Sequence, residues 1–340
     1  MAKTVEGKAP DLSMIVVGRD GILSLHPIIT CLAEQTIADR IEVIAVLPKD
    51  EDLGLHDAVV NAFFDIKAVA AGPFTNRGEA SSHGVPHTRG RVIGFFENHC
   101  FPDPDWAEIT LRHYDDETVS GVAPIVENGN PEWGLSWACY STGYASLVTD
   151  TLKEVEGMPN HNTTYRASEL KRRENRLLEL LKHESALQGE IRAEGGRFLT
   201  DPAARTKHLN EGTWWLSVGI NFVNGRMYGA KVGPDKSWSE RIARAIAFPL
   251  AAAPILRNNL NWLANVPGPK TKDLQFYTGL IAMSLARAFG EACGYLAGMP
   301  DHVKFLEDEE FMVTERLGKH TLSDPRLAGY VALVSQGAKT

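Results

Sequence analysis

The first 125 residues of the chain alternate short apolar runs with longer amphipathic stretches. The runs are rich in β-branched side chains and have the length of strands, whereas the stretches between them have the apolar spacing of helices. Repeated alternation of strands and helices predicts an α/β fold in which helices cover both faces of a mostly parallel sheet. The predicted strands are Leu12 to Gly18, Ile41 to Leu47, Ile66 to Ala71, Val92 to Phe96 and Thr118 to Val126.

A polar cluster follows the fourth of these strands. Glu97, Asn98 and His99 come directly after Phe96, and ligands of open α/β sheets bind beyond the carboxyl ends of the strands. If the strand continues, the carboxylate and the imidazole at alternate positions point to the same side and can hold Mg²⁺ or Mn²⁺ against a diphosphate. The alternative is a solvated strand end whose acidic residue has a capping role. The spacing leaves both interpretations open.

A second candidate lies in residues 167–194, which are dense in Leu, Glu, Lys and Arg and end at a Gly-Gly pair. This pattern predicts one long helix. Glu184 interrupts its apolar stripe, which consists of Leu177, Leu180, Leu181, Leu187 and Ile191. A carboxylate there either pairs with a buried cation or borders a cleft, where desolvation suits it to act as a general base.

The composition changes near residue 235. Two apolar stretches, Ile242 to Leu256 and Leu274 to Leu285, are separated by a Pro- and Gly-containing breaker. Neither stretch supplies the roughly 18 uncharged residues that a membrane-spanning helix needs. The pattern therefore predicts a helical hairpin that packs on the first domain, on a second subunit or partly in a membrane surface. The predicted divisions are a tail over residues 1–10, an α/β domain over 11–235 and a helical region over 236–340.

Composition and charge exclude several classes of protein. The 340 residues carry a formal net charge of −8, which argues against a protein that coats nucleic acid, because phosphate backbones are bound by basic surfaces. The four cysteines lie far apart in the sequence and predict reduced thiols rather than a disulfide framework. Residues 1–10 contain no apolar core of a signal peptide, so the expected location is the cytoplasm.

Several common motifs are missing from the sequence. The chain has no G-x-G-x-x-G after the first strand, no G-x-x-x-x-G-K-[ST] and no G-x-S-x-G. The usual dinucleotide, P-loop and serine-hydrolase interpretations therefore lack support. His208 follows a short apolar piece, Arg197 to Thr200, that predicts a strand, and a single histidine of this kind is more often structural than functional.

The order of these elements resembles that of the family 2 glycosyltransferases of the GT-A fold, over roughly residues 11–230. The first strand, the helix that ends in Gln35-Thr36 and the strand from Ile41 to Val46 look like the opening of that family. The resemblance implies a GT-A-like, mostly parallel sheet flanked by helices, followed by a C-terminal helical hairpin.

The most specific part of the resemblance is Glu97-Asn98-His99-Cys100, followed by Pro102 and Asp105-Trp106. This stretch is similar to a branch of the family that reads Glu-Asp-His-Cys in place of the Asp-x-Asp motif. Asn98 stands where that branch has Asp, which leaves a neutral amide in place of one carboxylate.

The resemblance also implies roles for individual residues. Glu97, His99 and His208 fall where the family holds a divalent cation, Mn²⁺ or Mg²⁺. Glu184 falls where the family has the acidic residue of its catalytic-base motif, although Ser185 replaces a second acidic residue. The implied donor and acceptor contacts are Asp50, Trp106, His161, Asn162 and Arg166.

The function that the resemblance implies is that of an inverting transferase. It takes a sugar from a nucleotide-diphosphate sugar, most often a UDP-sugar in this family, and adds it to a hydroxyl acceptor. Residues 290–298 resemble the terminal helix of the branch at the membrane face, which points to a lipid-linked acceptor and to a membrane or homodimer contact through residues 238–299. The alternatives are a non-catalytic nucleotide-sugar-binding protein, favoured by the neutral residues Asn98 and Ser185, and a membrane-associated scaffold subunit.

Overall fold

The computed structural model describes residues 9–74, 76–159, 161–182, 184–268, 270–300 and 322–337, without the side chains of residues 182, 184, 185 and 334–337. The chain divides into two compact units. Unit 1 consists of Met1–Glu127, Thr149–His208 and Pro325–Thr340, and unit 2 consists of Asn128–Val148 and Leu209–Asp324. Both units are therefore discontinuous in sequence.

Unit 1 is built on a nine-stranded sheet. Its strands are β1 (Leu12–Val17), β2 (Ile41–Leu47), β3 (Asp65–Ala70), β4 (Val92–Phe96), β5 (Cys100–Pro102), β6 (Val119–Asn128), β7 (Lys153–Val155), β8 (Thr163–Arg166) and β9 (Arg197–His208). They lie in the order β3-β2-β1-β4-β8-β6-β9-β5, and β7 pairs with β9. The predicted α/β class is confirmed.

The sheet is parallel in the half that the sequence pattern defines most clearly. β1 pairs in parallel with β2 and β4, and β2 pairs in parallel with β3. The pairs β4 with β8, β6 with β8, β5 with β9 and β7 with β9 are antiparallel. Only residues 97–99 separate β4 from β5, too few for the crossover helix that a parallel neighbour would need. β5 therefore pairs with β9 instead.

The helices fall into two sets. Those of unit 1 are α1 (His26–Ala33), α2 (Asp57–Val60), α3 (Arg77–Gly84), α4 (Trp106–His113), α6 (Ala167–Lys171), α7 (Leu177–Lys182), α8 (Glu184–Ala193) and α13 (Pro325–Gly337). Those of unit 2 are α5 (Gly134–Gly143), α9 (Trp214–Val232), α10 (Trp238–Ile246), α11 (Phe248–Asn265) and α12 (Leu274–Ala297). Short 3-10 helices occupy Ile22–Leu25, Ala38–Arg40, Val85–His87, Ala145–Leu147, Glu174–Arg176 and Gly233–Asp235.

The core of unit 1 lies on both faces of the parallel strands. β1, β2 and β4 are buried along their whole length, which explains their near-continuous apolar sequences. Glu42, near the amino end of β2, is fully buried, and its carboxylate is paired with Ser13 of β1 and with Arg89. Ser13 Oγ donates to Glu42 Oε1 at 2.5 Å, and Arg89 Nε donates to Glu42 Oε2 at 2.8 Å.

Residues 167–194 are largely helical and the last helix ends before the Gly-Gly pair, as predicted, but the chain bends between α6 and α7 instead of forming one helix. The buried guanidinium of Arg173 explains the bend. It contacts Glu169 at 3.0 Å, Glu190 at 3.3 Å and Glu194 at 2.8 Å. In a straight helix residues 173 and 190 would be about 25 Å apart, and the guanidinium would lose partners that its burial requires. The predicted apolar stripe is buried as expected.

Unit 2 contains a helix, α5, in a segment whose sequence pattern gives little indication of one. The Asn-, Gly-, Pro- and Trp-rich composition of residues 127–165 predicts a loop with brief structured pieces. The segment contains α5, in which all residues from Gly134 to Ser141 are buried. A helix buried all round has no polar face, so its sequence lacks the helical period. The predicted hairpin is present as α10 and α11 against α12, and α12 runs well beyond the predicted end at Leu285. Within the described residues, every helix is too short or too polar to cross a membrane.

The division of the chain differs from the predicted boundary at residue 235. Residues 209–235 belong to unit 2, because α9 packs along α12, whereas α13 returns to unit 1 and packs on α1.

Glycines set the distance between α9 and α12. A Cβ atom on Gly290 would lie 2.0 Å from the carbonyl oxygen of Phe222, and one on Gly229 would lie 2.2 Å from that of Glu291. Equivalent approaches occur at Gly225 and Gly294. Because the opposing atoms belong to the backbone, the helices can pack this closely only where both carry glycine.

We expect Gly290→Ala to destabilise unit 2 by about 2 kcal/mol or more, since the backbone of α9 cannot yield locally. Gly189→Ala in α8 is the matched control, because nothing lies within 4 Å of its added Cβ atom. There the substitution should stabilise the protein by up to about 1 kcal/mol. Urea unfolding followed by circular dichroism measures both changes, and equal stability of the two variants would contradict the close contact.

Candidate functional site

Three segments of the sheet meet beyond the carboxyl end of β4. Residues 97–99 form the turn between β4 and β5. His208, the last residue of β9, pairs with the first residue of β5 and therefore lies beside this turn. The β4–β8 register ends at Thr163, which brings the preceding Asn162 to the same place. Antiparallel pairing thus joins residues that are more than one hundred positions apart.

The side chains of Glu97, His99 and His208 converge and are buried. Glu97 Oε2 lies 3.5 Å from His208 Nε2 and 3.7 Å from His99 Nε2, and the two nitrogen atoms lie 3.1 Å apart. Two ring nitrogens at that distance repel each other unless a proton or a cation lies between them. The distance therefore fits either a hydrogen bond between two neutral rings, one donating and one accepting, or two ligands of a shared cation.

The three ligand atoms have the spacing of a metal site. Atoms about 2.1 Å from a common ion are about 3.0 Å apart at octahedral angles and about 3.4 Å apart at tetrahedral angles. The observed separations of 3.1, 3.5 and 3.7 Å are close to these values. Two imidazole nitrogens with one carboxylate suit a transition-metal ion such as Mn²⁺ better than Mg²⁺, which prefers oxygen ligands.

Glu97 is held by four further contacts, three to its carboxylate and one from its backbone N–H. Arg77 Nη1 donates to Glu97 Oε1 at 2.6 Å, and Asn162 Nδ2 donates to Oε2 at 2.8 Å. The Glu97 backbone N–H donates to Asn162 Oδ1 at 3.1 Å. His161 Nδ1 lies 3.5 Å from Oε1. Burial by itself would raise the pKa of Glu97, but the rings of His161 and His99, the Arg77 guanidinium and a hydrogen bond from His208 lower it well below its ordinary value.

The neutral residue Asn98 orients the ring of His99. His99 Nδ1 lies 2.9 Å from Asn98 Oδ1, and because an amide oxygen can only accept, the proton of the neutral ring resides on Nδ1. The Nε2 lone pair then faces Glu97 and His208, as in metal sites where a second ligand orients the imidazole. The Asn98 Nδ2 group is buried and has no hydrogen-bond partner within the described part of the chain.

The strand does not continue through the site, which was the condition for aligning Glu97 and His99 by strand alternation. β4 ends at Phe96, and Glu97 and His99 lie in the turn that follows. Strand alternation therefore does not align them. The β5–β9 pairing brings His208 to the turn, and the Asn98 contact orients His99.

The other predicted site residues are divided between the cluster and the rest of the fold. His161 and Asn162 join it. Trp106 does not, because it is fully buried and packs edge-on against Phe96 with ring centroids 4.8 Å apart. Arg166 lies at the opposite end of β8, where its guanidinium donates to the carbonyl oxygens of Val119, Tyr114 and Asp116.

The two remaining acidic candidates are not part of the described cluster. Asp50 lies beyond β2 with an exposed side chain. Its neighbour Glu51 instead accepts a hydrogen bond from the backbone N–H of Ile22 at 2.9 Å. Glu184 is the first residue of α8, and its side chain lies outside the described residues.

Sequence reasoning missed Arg77, the cation closest to Glu97. Its position follows from Asn76, whose side chain caps α3 by accepting from the Glu79 backbone N–H at 2.9 Å. An Asn followed three residues later by Glu is a sequence signature of a helix start. That signature predicts a helix at Arg77, but no local pattern indicates that the helix begins beside the β4 turn.

Residues 23–173 match the family model described as Glycosyl transferase family 2. The match confirms the resemblance that the motifs indicate, over a segment that includes Glu97, His99 and Asn162 and ends before Glu184 and His208. No protein of curated function matches the chain.

The solved structures that are similar to this chain include three glycosyltransferases. TarS of S. aureus in complex with UDP-GlcNAc is 13% identical, with a TM-score of 0.46 over 58% of this chain and 58% of its own. The mannosyltransferase PcManGT from Pyrobaculum calidifontis, in complex with GDP-Man and Mn²⁺, is 15% identical, with a TM-score of 0.42 over 98% and 81%. GalNAc-T7 with UDP, GalNAc and Mn²⁺ is 15% identical, with a TM-score of 0.43 over 59% and 43%. The chain thus spans less than two thirds of the first and third of these proteins.

We expect Arg77→Met to destabilise the protein by about 3 kcal/mol at neutral pH, because it leaves the buried Glu97 carboxylate without its closest cation. The lowered pKa of Glu97 stabilises the fold above the ordinary carboxyl range, and this stabilisation is lost as the pH falls through the folded-state pKa. Removing the cation raises that pKa, so acid unfolding should begin at higher pH.

The matched control is Arg205→Met, which breaks an exposed pair with Glu127 at 3.0 Å. Its effect should stay below about 1 kcal/mol. Urea and acid titrations followed by tryptophan fluorescence measure both variants. An acid midpoint in Arg77→Met equal to that of the wild type would contradict the assigned role of the Arg77 charge.

Proposed function

From a chain whose residues 23–173 match glycosyl transferase family 2, we propose a transferase that moves a sugar from a nucleotide-diphosphate sugar to a hydroxyl group of an acceptor, with inversion at the anomeric carbon. The observation that carries the proposal is the convergence of Glu97, His99 and His208 beyond the carboxyl end of β4. A UDP-sugar is the proposed donor and a lipid-linked hydroxyl compound is the proposed acceptor.

Glu97, His99 and His208 would hold a divalent cation, with Mn²⁺ favoured by the mixed nitrogen and oxygen ligands. Such an ion offsets the negative charge that develops on a diphosphate leaving group. The lowered pKa of Glu97 keeps its carboxylate ionised and able to bind a cation. In this proposal the fold holds the ligand atoms of Glu97, His99 and His208 in a fixed arrangement around the cation.

Asn98 has a second role in this proposal. Its carbonyl oxygen orients His99, and its buried N–H groups have no acceptor in the described part of the chain. An oxygen-rich ligand such as a diphosphate or a sugar offers acceptors of the required kind. An Asp at this position would present only acceptors when ionised, so the amide adds a donor in place of a charge.

The role expected for Asn162 changes with the structure. Its amide forms two hydrogen bonds with Glu97, one to the carboxylate and one from the backbone, and it is fully buried. We therefore assign Asn162 as a positioning residue for Glu97 rather than as a contact to a sugar hydroxyl. His161 is about one-quarter exposed and lies at the edge of the cluster, where a ligand could reach it.

Glu184 is the proposed general base, which would accept the proton of the acceptor hydroxyl as that oxygen attacks the anomeric carbon. Support comes from Gln188, one helical turn later. Gln188 Oε1 accepts from the Met158 backbone N–H at 2.9 Å, and its amide donates to Tyr165 Oη at 3.0 Å. These bonds fix α8 against the segment that leads to His161 and Asn162.

The first test is calorimetry of UDP, GDP and their sugar conjugates, each with Mn²⁺, with Mg²⁺ and with EDTA. We expect Mn²⁺-dependent binding of one nucleotide at micromolar concentration, or about −8 kcal/mol. His208→Ala should remove the metal dependence. His113→Ala, which instead breaks a pair with Asp201 at 2.6 Å, should keep it.

Binding that EDTA leaves unchanged would contradict the cation site, and a failure to bind any of these nucleotides would contradict the donor assignment. Binding of a donor without transfer to any hydroxyl acceptor would favour the alternative, a non-catalytic nucleotide-sugar-binding protein.

The test of the base is Glu184→Gln, which keeps the size of the side chain and removes its basicity. Turnover should fall by about a hundredfold or more, while donor affinity stays nearly unchanged. Glu179→Gln is the control, since Glu179 is 76% exposed on the neighbouring helix α7. A loss of donor binding in Glu184→Gln equal to its loss of turnover would contradict the assignment.

A further inference from the structure

A row of large apolar side chains on unit 2 is exposed. Trp238, Ile242 and Ile246 recur every four residues on α10, and Leu250 continues the spacing into α11. Their exposed fractions are 61%, 48%, 76% and 78%. Ile246, Leu250 and Leu274 are the most exposed large apolar residues in the described part of the chain.

The helix that carries this row is strongly amphipathic. Ser237 and Glu240 form a capping box at its start, with the Ser237 hydroxyl accepting from the Glu240 backbone N–H and the Glu240 carboxylate accepting from that of Ser237. Arg241 flanks the apolar row one turn after Trp238, and Arg244 lies on the opposite side of the helix. Arg241 lies over the Trp238 ring at 5.1 Å and Arg244 over the Tyr295 ring at 5.9 Å.

The charge around the row is opposite in sign to that of the whole chain. The chain has a net charge of −8, yet residues 238–265 contain three arginines, Arg241, Arg244 and Arg257, and a single acidic residue, Glu240. Glu240 is engaged in capping α10. On α12, Glu291 lies near Arg287 and Arg244. The local surface therefore combines exposed apolar side chains with an excess of arginines over carboxylates.

A cleft of about 320 Å³ borders the row. Leu250 and Arg244 line it on one side, and Ala288, Glu291 and Ala292 of α12 line it on the other. The cleft therefore places apolar side chains beside charged groups, which matches the division between the acyl and headgroup regions of a lipid.

We propose that α10 and the start of α11 dock on a membrane surface that contains anionic lipids. The apolar row enters the boundary between headgroups and acyl chains, and the arginines contact lipid phosphates, as in amphipathic helices that lie in the interface. Trp238 begins the row with the kind of side chain that accumulates at this boundary. The helix lies on the membrane and does not cross it.

Charge distinguishes this partner from a second copy of the chain. A self-complementary interface brings the same patch of two subunits together. Arg241, Arg244 and Arg257 would then face their own copies, with Glu240 engaged in capping α10 and Glu291 as the other nearby carboxylate. Repulsion between like charges opposes that arrangement. An anionic lipid surface supplies the missing counter-charge.

The experiment uses the full chain and co-sedimentation with two kinds of vesicle, phosphatidylcholine alone and phosphatidylcholine with phosphatidylglycerol. The wild type should bind the anionic vesicles and bind the neutral ones less. Ile246→Asp should reduce the partition coefficient by about tenfold or more, because it places a charge in the apolar row. Leu152→Asp, at a 53% exposed residue of unit 1, adds the same charge elsewhere and should leave binding nearly unchanged.

Arg244→Gln tests the electrostatic part, and its effect should be larger on anionic than on neutral vesicles. Three results would overturn the proposal: a wild type that binds neither vesicle, equal losses in Ile246→Asp and Leu152→Asp, or a wild-type dimer that Ile246→Asp dissociates without any vesicle binding. Circular dichroism shows that the variants remain folded. The inference does not depend on the proposed function, since vesicle binding requires neither donor nor metal.

Discussion

A buried carboxylate sets the main constraint on the candidate site of unit 1. The Glu97 side chain is removed from water, which is costly for a charge unless cations and hydrogen-bond donors replace the lost hydration. The fold supplies Arg77 from α3, Asn162 from the start of β8, and His99 and His208 from the β5–β9 pair. These elements come from four parts of the chain, so one carboxylate ties the site to the architecture of the sheet.

The same constraint divides the polar residues near the site into two groups. Arg77 and Asn162 compensate and orient Glu97, whereas the nitrogen atoms of His99 and His208 face a common point with it. A residue that appears to be a ligand contact from its sequence position can therefore serve the carboxylate instead. Asn162 is the clearest case, because both of its hydrogen bonds go to Glu97.

Unit 2 depends on a different physical principle. Its central pair of helices, α9 and α12, is held by backbone contact at glycines, so the absence of side chains there is what permits the packing. Large apolar side chains that would fill a core in another helical protein remain on the outside of α10, α11 and α12. Tight backbone packing on the inside and exposed apolar rows on the outside are both unusual for a helical unit surrounded by water on all sides.

The sequence by itself determined the strands that are buried on both faces. Near-continuous apolar runs of this length, such as Ile41–Leu47 and Val92–Phe96, are compatible with few other structures. It also indicated Glu97 and His99, through their position at a strand end and through motif resemblance, and His208 through resemblance. Only the tertiary structure decided the bend at Arg173, the fully buried helix α5 and the pairing of β5 with β9. Each of these depends on contacts between residues distant in sequence, and local apolar spacing carries no information about such contacts.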